Sequence, residues 1–142
     1  MIKVDLPSLQ SLSIRHRRRL PDCPAVYFVL SGDSLVLYVG ATMSLRKRWE
    51  GHNRLRQIQD NHRQARVAWI PTEKRNLRRL ESRCICRFKP LYNGTRSDVD
   101  WLGMFSESRL MMISKLQQKM ELKWPSVISW AVRLLAEKEG IA

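Results

Sequence analysis

The stretch Ala25-Val26-Tyr27-Phe28-Val29-Leu30-Ser31-Gly32-Asp33-Ser34-Leu35-Val36-Leu37-Tyr38-Val39-Gly40 decides the fold. Two runs rich in β-branched and aromatic residues flank Ser31-Gly32-Asp33-Ser34, a turn signal. Residues 25–30 and 35–39 therefore predict the two strands of a β-hairpin, with Gly32-Asp33 as a two-residue loop. In that register, residues whose numbers sum to 65 stand opposite each other, so Tyr27 meets Tyr38. Directly opposed residues share a face, with Cβ atoms about 5 Å apart. Taken alone, two phenols side by side are simply two aromatic residues in a sheet.

Downstream of the hairpin, Thr42-Met43-Ser44 offers N-cap side chains for a basic helix running to about Ile58. Arg48 and His52 are four residues apart and so fall on one face of that helix. Residues 60–64 are polar and loop-like. Residues 65–70 predict a third strand, ended by Pro71, and Thr72 can cap a second helix reaching about Phe88. This order gives an α/β (α+β) fold: a small three-stranded antiparallel sheet flanked by helices. Leu77, Leu80, Cys84, Ile85 and Phe88 mark an apolar stripe on the second helix, and Glu81 falls in the middle of it. Arg75, Arg78, Arg79, Arg83 and Arg87 lie mostly on the other side. A carboxylate on a core-facing stripe is costly unless it is paired or holds a cation. Glu81 is thus either a salt-bridge partner or a metal ligand.

Charge points to the partner. The 142 residues include 26 Lys and Arg against 13 Asp and Glu, a net charge of +13. Residues 1–97 hold 20 basic and 7 acidic residues, whereas residues 98–142 hold six of each. Two segments follow, residues 1–97 and residues 98–142, and the first carries a field that attracts polyanions. Nucleic acid or an acidic membrane surface is the expected partner, and DNA is the one the candidate contacts are read for. The candidate contacts are Arg15, Arg17, Arg18 and Arg19 before the hairpin, and Arg46, Lys47, Arg54 and Arg56 along the first helix. No apolar run approaches the ~20 residues of a membrane helix, and residues 1–20 lack the pattern of a signal peptide. Cys23, Cys84 and Cys86 have no metal-like spacing. The expectation is a reduced, cytoplasmic protein without zinc, nucleoid-associated if prokaryotic, with Cys84 and Cys86 as buried thiols.

In combination the blocks Ala25-Val26-Tyr27, Tyr38-Val39-Gly40, Leu45-Arg46-Lys47-Arg48-Trp49-Glu50-Gly51-His52, Leu80-Glu81-Ser82 and Lys89-Pro90-Leu91-Tyr92-Asn93 resemble the GIY-YIG nuclease family in order and spacing. The resemblance spans about residues 22–94. It implies a metal-dependent endonuclease that hydrolyses a phosphodiester bond of DNA. Tyr27 would be a general base or water-positioning group, and Tyr38 would line the site. Gly40 would allow close approach, and Arg48 would neutralise charge developing on the phosphate. His52 would take part in proton relay, Glu81 would hold one Mg²⁺ or Mn²⁺, and Asn93 would brace the site. Ala25 departs from the family's usual glycine, and Val26 and Val39 replace isoleucines.

The neutral tail reads as a short strand over Val99 to Phe105, a helix capped by Ser106 with Leu110, Ile113, Leu116 and Met120 on its apolar side, and a further helix after Trp124-Pro125. This plan is similar to ribbon-helix-helix modules, which dimerise, so a homodimer through the tail is a possible state. A helical appendage on the first domain is the plainer expectation. Two other functions compete with the endonuclease: a non-catalytic nucleic-acid-binding protein on the same fold, and an RNA-binding accessory protein, which charge alone would allow.

Overall fold

A computed structural model describes residues 4–52, 54–93 and 107–120, with side chains in the last helix described for residues 111–115, 118 and 119. The chain divides into two compact units, Met1–Pro90 and Leu91–Ala142.

The first unit is built on a four-stranded antiparallel sheet of β1 (Ser11–Ser13), β2 (Ala25–Leu30), β3 (Val36–Thr42) and β4 (Arg66–Pro71), in the order β1-β4-β2-β3. The fold class is therefore the expected α+β, with one strand more than the three expected. Ser11-Leu12-Ser13 is short and poor in strand-forming residues, so nothing local marks it. It is held as a strand by pairing with Val67 and its neighbours on β4, and the Arg66 guanidinium donates to the Ser11 hydroxyl at 2.9 Å.

The central strand β2 is buried along its whole length. Val26, Phe28 and Leu30 face one way and join Val39, Ala68, Leu77, Leu80 and Cys84 in the core. Tyr27 and Val29 alternate to the other face.

The hairpin register differs from expectation by two residues. Tyr27 pairs with Gly40, and Val29 with Tyr38. The cause is the loop. Ser31 N–H donates to the Leu35 carbonyl at 2.9 Å, and Ser31 Oγ accepts the Leu35 N–H at 3.0 Å. Ser34 takes a left-handed conformation, φ 63°. This longer turn, with an irregularity between Val29 and Leu30, replaces the two-residue loop. A shift of two conserves the face on which each side chain stands.

The expected first helix is two helices, α1 (Leu45–Glu50) and α2 (Leu55–Asn61). Ser44 caps α1 by accepting the Lys47 N–H. The break falls at Gly51, a poor helix former, and at His52, whose ring and carbonyl accept the N–H groups of Arg54 and Leu55. Arg48 and His52 thus do not share a helix; the chain turns between them. Helix α3 (Leu77–Phe88) follows a 3₁₀ turn, Lys74–Asn76. It ends at Lys89, φ 45°, because Pro90 disfavours a helical residue before it. Leu77, Leu80 and Cys84 are buried and Arg75, Arg78, Arg79, Arg83 and Arg87 exposed, as the stripe predicts. Cys84 is buried, but Cys86 is exposed, a correction that the helical period explains: two positions on, it has left the stripe.

In the second unit, the 3₁₀ turn Leu91–Asn93 and helix α4 (Glu107–Met120) are described. The helix expected after Ser106 is present, with Ile113 buried. The strand expected over 99–105 and the helix after Pro125 lie outside the described residues. Among the described residues no helix is long and apolar enough to cross a membrane.

Candidate active site

The central strand presents Tyr27, fully buried, opposite Gly40 on β3 and Trp69 on β4. Gly40 makes room for the phenol. A Cβ there would lie 2.5 Å from the Tyr27 hydroxyl, 2.6 Å from its Cζ and 2.9 Å from Cε1 of Tyr38. The close approach that requires glycine is thus by the phenol itself. Tyr38 stands diagonally on the same face, its ring centroid 6.1 Å from that of Tyr27. It is half-buried, so of the two phenols it has the solvent access.

Helix α1 and the turn after it bring the polar partners. Arg48 Nε–H donates to the Tyr27 hydroxyl oxygen at 3.3 Å, and His52 Nε2 lies 2.9 Å from the same oxygen. His52 Nδ1 accepts the backbone N–H of Arg54 at 3.1 Å. A nitrogen that accepts carries no proton, so the neutral ring is protonated at Nε2, and Nε2–H donates to Tyr27. The Tyr27 oxygen therefore receives two hydrogen bonds. Trp49 completes the cluster. Its ring stacks on His52 at 4.4 Å and 18°, and meets Tyr27 edge-on at 5.7 Å. Tyr38 meets the His52 ring at 5.1 Å, near perpendicular.

The electrostatics follow from burial. Loss of solvent, and then the Arg48 and Arg54 charges, push the His52 pKa down to about 4. It is neutral at physiological pH. Burial drives the Tyr27 phenol well above its ordinary range, against the opposing hydrogen bond from Arg48. Arg48 is pushed up, first by its hydrogen bond to Tyr27, and Tyr38 adds to the effect. It is a fixed cation.

Glu81 lies on α3, half-buried. Its charge reaches the cluster, contributing to the rise at Tyr27. Among the described residues it forms no salt bridge; the ion pair present is the exposed Glu73–Arg75. No group of three or more His, Cys, Asp or Glu gathers among the described residues. A lone carboxylate suits a hard cation that completes its shell with water and phosphate oxygens rather than one needing a full protein cage. The donor present fits Mg²⁺ or Mn²⁺.

Tyr27, Tyr38, Arg48 and His52 are thus brought together. Asn93, half-buried, sits in the turn Leu91–Asn93 of the second unit. Of the expected DNA contacts, Arg15, Arg18, Arg19, Arg46, Lys47 and Arg56 are exposed, and Arg17 and Arg54 are half-buried. Sequence reasoning assigned no role to Trp49 or to the Arg54 N–H. The sequence offers only a large ring three residues before a histidine, which does not say that the two rings stack.

No family model matches the sequence, and no curated protein matches it. Solved structures do. One is the GIY-YIG N-terminal endonuclease domain of UvrC from Thermotoga maritima bound to its catalytic divalent cation, magnesium, at 23% identity and TM-score 0.49, covering 57% of this chain and 96% of that one. A point mutant of the same domain with its catalytic cation matches at 22% identity and TM-score 0.48, covering 58% of this chain and 96% of that one. The likeness is one of fold, between somewhat more than half of this chain and a GIY-YIG endonuclease domain.

Proposed function

We propose that the chain is a divalent-metal-dependent endonuclease that hydrolyses a phosphodiester bond of DNA, with Tyr27, Tyr38, Arg48, His52 and Glu81 at its centre. The observation that carries this reading is the Tyr27–Arg48–His52 hydrogen-bonded cluster, which feels the charge of Glu81, a half-buried carboxylate with no salt bridge among the described residues. Hydrolysis needs a water that attacks phosphorus, charge to balance the developing negative oxygen atoms, and a proton for the leaving oxygen. Arg48 is a permanent cation that meets the second need. When bound at Glu81, the cation supplies Lewis acidity towards the phosphate.

The proton roles divide by access. Tyr27 is sealed, its pKa raised and its oxygen already filled by two donors. It orients Arg48 and His52 rather than taking a proton from water. Neutral His52, with its Nδ1 engaged, is a donor that fixes Tyr27. Tyr38, half-exposed on the same face, is the phenol that substrate and water can reach. Asn93 is assigned the bracing role that the family resemblance gives it, and the tail beyond residue 97 a role in oligomeric state or target preference.

A plasmid-nicking assay tests the reading. Nicking with Mg²⁺ or Mn²⁺, stopped by chelation and lost in Glu81→Gln, is the expected result. DNA binding without nicking under any divalent cation assigns the non-catalytic alternative, and a clear preference for RNA assigns the accessory one.

A further inference from the structure

We infer that a pocket between the 3₁₀ turn Ile14–Arg19 and α1 is a second anion subsite, taking a backbone phosphate of the nucleic acid beside the one that is cut. The inference rests on the nucleic-acid reading above. The pocket, of about 120 Å³, is lined by Arg17, Arg18, Arg46, Trp49 and Glu50.

Its chemistry is that of a phosphate site. Three guanidiniums against one carboxylate leave a positive excess. Among the described residues none of the four charged side chains is in a salt bridge with another, although they line one pocket. Arg46 uses its Nε to hold the Leu20 carbonyl at 2.9 Å. That bond fixes the guanidinium and leaves its terminal nitrogens without a partner among the described residues. Trp49 lines the same pocket and adds a second observation. It is fully buried, and its indole Nε1–H has no acceptor among the described residues. A buried donor left unsatisfied is costly and calls for an acceptor. The Glu50 carboxylate lines the same pocket and does not serve. A phosphodiester oxygen would accept from the indole while the guanidiniums balance its charge.

The location favours a polymer over a free anion. Trp49 stacks on His52 and abuts Tyr27, so a phosphate held here lies one aromatic ring from the candidate catalytic cluster. Exposed Arg15, Arg19 and Lys47 flank the lining residues in sequence and supply the field for the rest of a strand. Filling the pocket would also fix the face of Trp49 against which His52 is stacked, tying strand placement to the geometry of the site.

The test is a titration of the full ¹⁵N-labelled chain, without divalent cations, by a short DNA oligonucleotide and separately by inorganic phosphate. The indole resonance of Trp49 is identified by its loss in Trp49→Phe, or by residue-to-residue assignment if that variant does not fold. The oligonucleotide should move this resonance. Arg17→Gln with Arg18→Gln should abolish the movement and weaken binding about tenfold more than the matched pair Arg15→Gln with Arg19→Gln. A resonance unmoved while DNA binds, or equal losses for the two pairs, overturns the subsite. Movement by inorganic phosphate but not by the oligonucleotide overturns its assignment to a nucleic-acid backbone. Because no cleavage is read, a chain that shows the shift but never nicks plasmid loses the nuclease reading and keeps the pocket.

Discussion

The β2–α1 side and the α3 side of the candidate site are built in opposite ways. On the first, the polar groups are bound to one another: Arg48 and His52 both donate to Tyr27, and the Arg54 N–H fixes His52 in turn. On the second, Glu81 stands half-buried with no salt bridge among the described residues, on a helix whose other side carries arginines. The first side is organised before any ligand arrives. Its groups cannot rearrange without breaking buried hydrogen bonds, so its contribution is fixed geometry and fixed charge. The second side holds a charge without an ion-pair partner among the described residues, and on the proposed reading the cation supplies it. Division of labour between preformed dipoles and a recruited cation is a workable design for phosphoryl chemistry, because the preformed part needs no reorganisation during reaction.

Substitutions can break this contrast at either end. The largest effect is expected at Glu81. Glu81→Gln keeps size and most hydrogen bonding but is a weak ligand for a hard cation. Cleavage in Mg²⁺ should fall to background while the thermal melt stays unchanged and DNA binding is equal or tighter. An early melt with cleavage retained would make Glu81 structural and erase the contrast. Next comes Arg48→Ala, which removes one fixed cation and should lower cleavage by roughly 100-fold with binding little altered; near wild-type rates would take Arg48 out of the mechanism.

Acid should dismantle the preformed side selectively. The folded pKa of His52 lies near 4, below the ordinary 6.5. Its neutral form is therefore the one the fold favours. The stability this confers is full above about pH 6.5 and is lost as pH falls through 4, at most about 3 kcal/mol. Denaturant melts between pH 7 and 4 should show that loss and His52→Gln should blunt it; parallel curves for the two proteins would mean that His52 is not the titrating group. The smallest effect is expected at Gly40. Gly40→Ala pushes a methyl into the Tyr27 phenol and should cost about 1–3 kcal/mol of stability, with cleavage reduced even when the protein is fully folded. Unchanged melting and cleavage would show that the phenol can move aside and that the cluster is less rigid than its hydrogen bonds imply.

Much of this was legible in the order of residues. The β-branched and aromatic run before a turn signal announced β2 to the residue, and the apolar stripe of α3 singled out Glu81 because a carboxylate there conflicts with its surroundings. Features decided by tertiary contact were not legible. Whether a loop spans two residues or five depends on Ser31 bonding to Leu35, so the Tyr27–Tyr38 register was misplaced by two. The helix break after Glu50 depends on His52 capping α2 as well as on Gly51. Strand β1 exists only because β4 is there to pair with it. The role of Trp49 required seeing which ring lies over which, a relation between a helix and a turn that no spacing rule encodes.

That dependence of β1 on β4 has a consequence for the order of folding. Ser11–Ser13 is closed against Arg66–Ala68, and Ile14 N–H reaches the Ala65 carbonyl at 3.0 Å. A chain synthesised from its N-terminus therefore cannot close β1 until β4 has been made, more than fifty residues after Ser13. The hairpin β2–β3, with its short loop, can form long before. The β1–β4 pairing, which precedes Arg17 and Arg18 in the chain, is thus a contact of far longer sequence separation than the β2–β3 hairpin and the expected last part of the sheet to close.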